Sequence, residues 1–193
     1  MIMAKYNVLY NPLAGNGKGE NAAKKLKELL NGDELTFTDM TKVSDYRALF
    51  ASMPEDERVI VSGGDGTLNR FINDTEEVAF ANPVYYYATG SGNDFLKDIG
   101  GNVGDKPVCI DKYLKALPTV DVKGKSYRFI NGIGYGIDGY CCEVGEKLRE
   151  ENKNRKKPKP INYTKIAITG LLFHFKPKNA TVIVDGKSYN YNK

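Results

Sequence analysis

A buried strand that breaks into glycines and reopens as a helix constrains this chain more than any other feature. Val59, Ile60 and Val61 are followed by Ser62-Gly63-Gly64-Asp65-Gly66-Thr67-Leu68-Asn69. The apolar, β-branched run reads as a short buried strand. Thr67 is expected to cap a helix running through Leu68, Phe71 and Ile72. A helix N-terminus behind a glycine loop gathers loose backbone N–H groups and the positive end of a dipole at one point, which suits an anion. Gly63, Gly64 and Gly66 let the backbone come close to it. Asp65 would repel a phosphate unless a cation stands between them or the carboxylate handles a proton. The pattern points to a Mg²⁺-nucleotide phosphate loop in which Asp65 works through metal, water or a proton. The plain alternative is a tight β-to-α turn in which Asp65 caps the helix.

The totals exclude several classes. With 193 residues, 41% hydrophobic and 27% charged, the chain is globular and long enough for one good core or one domain and part of another. A net charge of +4 suits phosphate ligands or an anionic surface and is too small to argue for nucleic acid. Cys109, Cys141 and Cys142 are odd in number and lack Cys-x-x-Cys spacing, which argues against a disulfide framework or a zinc site and fits a reducing cytoplasm. No signal peptide is legible at the start, and no stretch reaches the roughly 18–20 apolar residues of a membrane span.

Strand and helix alternate from the start. Residues 6–10 read as a first strand, and a loop containing Asn11, Pro12, Leu13, Ala14 and Gly15 leads to a helix over 21–30 with Leu26, Leu29 and Leu30 on one face. This loop is either a second phosphate candidate or an ordinary βα connection. It is not a Walker A loop, because Pro12 and Gly19 stand where that pattern needs glycine and Ser or Thr. A strand over 35–38, a helix over 43–53 and a strand over 84–88 follow. A third glycine turn, Thr89-Gly90-Ser91-Gly92-Asn93-Asp94, then opens a short helix. Ser91 offers a hydroxyl and Asp94 a second carboxylate, or Asp94 simply caps that helix. Such alternation predicts a doubly wound parallel α/β sheet with all these loops on its carboxyl edge, where Asp65 and Asp94 can cooperate around a hydrated cation.

The grammar changes near residue 118. A further strand is expected over 107–110, then a hairpin of 118–122 and 126–130 turning at Lys123-Gly124-Lys125, and a last hairpin of 181–184 and 188–191. A helix is expected over 140–151 and another over 161–175. The expected organisation is an α/β nucleotide-binding domain over 1–117, followed by the start of a β-rich domain over 118–193. Gly134, Gly136 and Gly139 match Gly-x-Gly-x-x-Gly, but a dinucleotide site also needs an acidic residue about 20 positions on, where this chain is basic and broken by Pro158 and Pro160. The basic residues over 153–160 read as a solvated loop or as a membrane-facing one. His174 is the sole histidine and reads as a packing or surface residue. A Ser–His–Asp triad is not supported, because no Gly-x-Ser-x-Gly elbow exists.

Gly63-Gly64-Asp65-Gly66-Thr67 resembles the signature of the diacylglycerol kinase catalytic domain, shared by bacterial lipid kinases and by sphingosine and ceramide kinases. Gly90-Ser91-Gly92-Asn93-Asp94-Phe95 resembles that family's Gly-Thr-Gly-Asn-Asp-Phe segment and separates it from the NAD kinases, with Ser91 keeping the hydroxyl. Asn11-Pro12-x-x-Gly15 resembles the family's opening, and the segment from Phe129 through Asn131 to Asp138 resembles the start of its second domain. The resemblance implies an ATP- and Mg²⁺-dependent kinase acting on a lipid hydroxyl. The nucleotide site would comprise Asn11, Pro12, Leu13, Ala14, Gly15, Thr41, Gly63, Gly64, Asp65, Gly66, Thr67, Leu68, Asn69 and Ser91, with Asp65 and Asp94 catalytic. It implies a cytoplasmic protein in peripheral contact with the inner membrane face, taking its lipid from the membrane surface, and is compatible with a homo-oligomer. The family's chain continues beyond position 193 with an acidic metal segment and a carboxylate base, so on the resemblance this chain is expected to be C-terminally incomplete, with metal ligands and base outside it. Two rival readings are an NAD kinase and a non-catalytic nucleotide- or membrane-binding fragment.

Overall fold

The computed structural model describes residues 3–153, 155, 159–176, 179–184 and 186–192, which form two compact units, Met1–Gly132 and Ile133–Lys193. The first is built on a five-stranded sheet of β1 (Lys5–Tyr10), β2 (Glu34–Asp39), β3 (Arg58–Gly63), β4 (Val84–Ala88) and β5 (Val108–Cys109), in the order β2-β1-β3-β4-β5. The first four strands are parallel, as alternation with helices demands. The edge strand β5 departs from the expected parallel sheet. It runs antiparallel to β4, pairing Tyr85 with Cys109 and Tyr86 with Val108. The order reverses between β1 and β3, so the switch point where ligands settle in such sheets lies where those strands end.

Both faces of the sheet are covered, which explains the unbroken apolar run in β3. Val59 and Val61 face a core holding Phe50, Leu68 and Phe71, while Ile60 faces the opposite core with Val8, Ala23 and Leu26. The second face is covered by a segmented helical stretch: a short turn α1 (Ala14–Gly17), then α2 (Gly19–Lys24) and α3 (Leu26–Leu29). The single helix expected over 21–30 is thus earlier in onset and interrupted at Lys25, with Leu26 and Leu30 still buried. The first face is covered by α4 (Tyr46–Ala51) and α5 (Asp65–Asp74). α4 is shorter than the expected 43–53 because the Asp45 side chain accepts the Ala48 N–H and sets the start. α6 (Asp94–Asp98) and α7 (Asp111–Leu114) follow β4 and β5.

The hairpin of β6 (Thr119–Val122) and β7 (Lys125–Arg128) turns on Lys123 and Gly124, both at positive φ (52° and 81°), the geometry of a type I′ turn. Asn73 fastens this hairpin to α5. Its amide donates to the Arg128 carbonyl (2.9 Å) and its carbonyl accepts the Arg128 N–H (2.9 Å).

The second unit contains α8 (Ile137–Lys153), α9 (Tyr163–Thr169), a π-helical turn over Gly170–His174, and a hairpin of β8 (Ala180–Val184) and β9 (Lys187–Tyr191). The helix expected over 161–175 starts later because Asn162 accepts the Lys165 N–H, and it widens at Gly170. Two glycines set how closely α8 and α9 approach: a Cβ on Gly145 would stand 2.7 Å from the Tyr163 ring, and one on Gly170 would stand 2.6 Å from the Tyr140 ring. His174 is exposed and stacks on Tyr140 at 5.2 Å between centroids, a surface residue with one packing partner. Part of the basic stretch (Asn154, Lys156, Lys157 and Pro158) and Asp185 of the last turn lie outside the described residues. No helix among the described residues is long and apolar enough to cross a membrane.

Candidate active site

Three glycine loops meet at the carboxyl ends of β1, β3 and β4. The Asn11 N–H extends the β1–β3 ladder by donating to the Ser62 carbonyl (3.1 Å), and the Thr89 N–H extends the β3–β4 ladder by donating to the Gly63 carbonyl (2.8 Å). The contact between the second and third loops is backbone on backbone: a Cβ on Gly90 would lie 2.5 Å from the Gly64 Cα. A Cβ on Gly15, which sits at φ 57°, would lie 2.9 Å from the Thr89 carbonyl oxygen. These glycines are therefore required by the packing of the loops on one another, before any ligand is considered.

Asp65 is the first residue of α5, and Gly64 precedes it as N-cap. Neither helix-capping role expected from the sequence holds. The Asp65 carboxylate reaches across to α6, where Oδ2 accepts the Asp94 N–H (3.1 Å) and Oδ1 the Phe95 N–H (3.0 Å). Oδ1 also accepts from the Asn131 side-chain amide at 3.3 Å. Thr67 lies inside the first turn of α5 and is buried, and its Oγ1 accepts from the Asn11 side-chain amide (2.9 Å). The cap of α6 is Asn93, at φ 55°, and its side chain closes on the backbone of Gly90. Asp94 is the first residue of that helix, exposed and 3.0 Å from the Lys97 ammonium, so it does not cap the helix either.

Other expected site residues are placed as follows. Ser91 is exposed on the third loop, and Asn69 is half-buried in α5. Leu68 belongs to the core, with its side chain fully buried and its N–H donating to the Gly64 carbonyl. Pro12 and Leu13 flank the start of α1, where the Asn11 side chain accepts the Leu13 N–H (3.0 Å), and Ala14 is buried. Thr41 stands past the end of β2 with its N–H and hydroxyl both donating to Asp39 (2.9 and 2.7 Å), and the preceding Met40 N–H donates to the Tyr10 carbonyl (3.0 Å) at the end of β1. A concavity of about 500 Å³, lined in part by Tyr46, Arg47, Arg70 and Asp74, includes none of the expected site residues.

Three contributors were not legible as such. Tyr86, buried under the glycine loop, donates its hydroxyl to the Gly63 carbonyl (3.2 Å), and burial, with a lesser effect of the Asp65 charge, pushes its phenol far above the ordinary range. Asn131 reaches Asp65 from 66 positions away. Asn93 was read as part of a motif but not as the residue that shapes the loop. Among the described residues no group of three or more His, Cys, Asp or Glu side chains is arranged to hold a metal by itself. Asp65 and Asp94 do share an opening: a Cβ on Gly92 would lie 3.4 Å from an Asp65 oxygen and 3.5 Å from an Asp94 oxygen.

The diacylglycerol kinase catalytic domain matches residues 5–123. Diacylglycerol kinase 1 of Drosophila melanogaster is 29% identical over 115 residues, which cover 56% of this chain and 9% of that protein. A crystal structure of a candidate diacylglycerol kinase from Bacillus anthracis str. Sterne aligns at 18% identity and a TM-score of 0.46, covering 98% of this chain and 64% of that one. With more than half its length matched, the first strand and all three glycine loops included, this chain belongs to the diacylglycerol kinase catalytic domain family.

Proposed function

We propose that the chain supplies the nucleotide site of an ATP-dependent lipid kinase, in which the γ-phosphoryl of MgATP passes to a lipid hydroxyl. The observation that carries the reading is the position of Asp65. It heads α5, a helix whose first turn offers backbone N–H groups to an anion, and it shares the opening at Gly92 with Asp94. Gly66, exposed in that turn, has nothing within 4 Å of an added Cβ, so a phosphate has room to approach the backbone.

The residues present fit a magnesium nucleotide. Mg²⁺ binds through one or two carboxylates together with substrate phosphates and water, so it does not require an all-protein cage. Asp65 and Asp94 are the carboxylates that would hold it, and bound Mg²⁺ neutralises charge on the phosphates. The α5 N-terminus and the glycine backbone would orient the phosphates, with Asn11, Pro12, Leu13, Ala14, Gly15, Thr41 and Ser91 completing the nucleotide site. Asn131 and the α6 N–H groups hold the Asp65 carboxylate in one orientation, and Tyr86 holds the Gly63 carbonyl beneath it. Phosphoryl transfer depends mainly on such positioning. Work of this kind belongs in the cytoplasm at the inner membrane face, where nucleotide and lipid meet.

The test is melting of the full chain with MgATP, MgADP or NAD, followed by transfer of labelled γ-phosphate to dispersed diacylglycerol and other hydroxyl lipids. Stabilisation by MgATP with label in lipid is expected. Label in NAD instead of lipid, or a cooperative melt that MgATP does not move, would overturn the reading.

A further inference from the structure

We propose that the concavity between the start of α4 and the end of α5 is a binding site for a free amino acid, with Arg47 taking its carboxylate and Glu77 its ammonium. The concavity lies wholly within the first unit and includes none of the residues proposed for the nucleotide. Its volume of about 500 Å³ falls within the range of small-molecule sites.

The charges on the lining decide the class of ligand. The carboxylates of Asp45, Asp74, Glu76 and Glu77 stand against the guanidiniums of Arg47 and Arg70, an excess of negative charge that is hostile to a nucleotide or any other polyanion. Most of these charges are already engaged. Asp45 accepts the Ala48 N–H, Arg70 is paired with Asp74 at 3.0 Å, and Glu76 is paired with Arg128 at 3.1 Å. Two charges remain. Among the described residues no carboxylate forms an ion pair with Arg47, and no cation forms one with Glu77. The Arg47 guanidinium donates instead to the Glu77 backbone carbonyl (3.1 Å), which fixes it beside that residue. One unmatched cation and one unmatched carboxylate on neighbouring positions are the complement of a small zwitterion.

A second, independent feature is the Tyr46 hydroxyl. Tyr46 lines the same concavity and is only 7% exposed, and its hydroxyl is buried without a hydrogen-bond partner. Buried tyrosine hydroxyls ordinarily have one. Burial acts first on this phenol, followed by the charges of Asp74 and Arg70, so the hydroxyl lies toward two side chains of the lining. The Arg70–Asp74 pair is a surface i,i+4 pair of the weak kind. A bound ligand therefore displaces Arg70 at small cost and gives the hydroxyl its missing partner. Val43 and Val78 add an apolar wall for the ligand's side chain. None of this requires the kinase reading, and the test uses no nucleotide.

The experiment is saturation-transfer NMR on the full chain, with the standard amino acids supplied singly at millimolar concentration. Acetate and methylammonium, which carry one charge each, are the controls, and phosphoethanolamine represents the zwitterion of a lipid head. At least one amino acid should bind, and neither single-charge control should. Arg47→Gln and Glu77→Gln should each weaken binding by about tenfold, the scale of one charged hydrogen bond. Both side chains are exposed, so both variants should melt as the unaltered chain does. Tyr46→Phe keeps the ring in the core and should weaken binding severalfold, a second measure that does not depend on the charged pair. Binding by no amino acid, or an equal response to either single-charge control, would overturn the proposal. So would tighter binding of phosphoethanolamine than of any amino acid, or undiminished binding by the two glutamine variants.

Discussion

Asp65 holds the backbone N–H of Phe95 at 3.0 Å, and so one carboxylate both heads α5 and anchors the start of α6. The residue proposed for the chemistry is thus also a structural bracket between two loops, and substitutions there are expected to act on both properties. Asp65→Asn keeps one acceptor oxygen and is expected to cost about 1 kcal/mol of stability, while Asp65→Ala costs up to about 2 kcal/mol, the range for losing a helix cap. Both should abolish phosphoryl transfer. Denaturant unfolding beside a transfer assay separates the effects, and near-normal turnover in Asp65→Asn would remove Asp65 from the chemistry.

Gly66 and Gly90 make a matched pair. Gly90→Ala forces a Cβ to within 2.5 Å of the Gly64 Cα and should cost about 1–3 kcal/mol, as overpacking does. Gly66→Ala meets nothing within 4 Å and lies inside a helix, so it should stabilise by up to about 1 kcal/mol. A Gly66→Ala chain that melts higher yet gains less from MgATP would locate the phosphates at α5. An undiminished MgATP shift would argue against that location.

Tyr46 should give the protein an alkaline limit. Burial, first, and the nearby Asp74 charge push its phenol from the usual 10 up to about 12. A raised pKa means the folded state prefers the neutral phenol. Its contribution is therefore complete below pH 10 and is lost as pH climbs through about 12. Tyr46→Phe should flatten the fall in melting temperature over that window. An unchanged alkaline limb would refute the assignment.

Asn73 fastens the β6–β7 hairpin to α5 through both ends of its amide. Asn73→Ala strands the N–H and carbonyl of Arg128 and should cost about 1–3 kcal/mol. Amide exchange should rise in 119–128 more than in the parallel strands. Uniform acceleration across the unit would show instead that the clasp serves the whole fold.

The parallel strands were legible because punctuation bounds them: β4 begins after Pro83, gives way to Thr89-Gly90, and matches its expected limits residue for residue. Helix starts were less legible. Asp45 and Asn162 cap α4 and α9, but apolar periodicity alone drew those helices too long at their N-terminal ends. Thr67 looked like a cap because it is a hydroxyl beside glycines, yet the helix begins two residues earlier and the hydroxyl serves Asn11. The glycine loops were recognisable as a set, whereas the partners of Asp65 were not, since Phe95 and Asn131 lie 30 and 66 positions away and no local spacing links them. The break at Lys25 has no counterpart in the sequence pattern.

The antiparallel strand β5 also affects how the sheet meets other chains. It pairs only two residues with β4, and just past them the Val84 N–H is taken by the Asp111 side chain (2.7 Å) and the Val84 carbonyl by the Ile110 N–H (2.8 Å). An incoming strand would find almost no ladder to copy on that side. The folded sheet is thereby guarded against growing into a fibre at that edge.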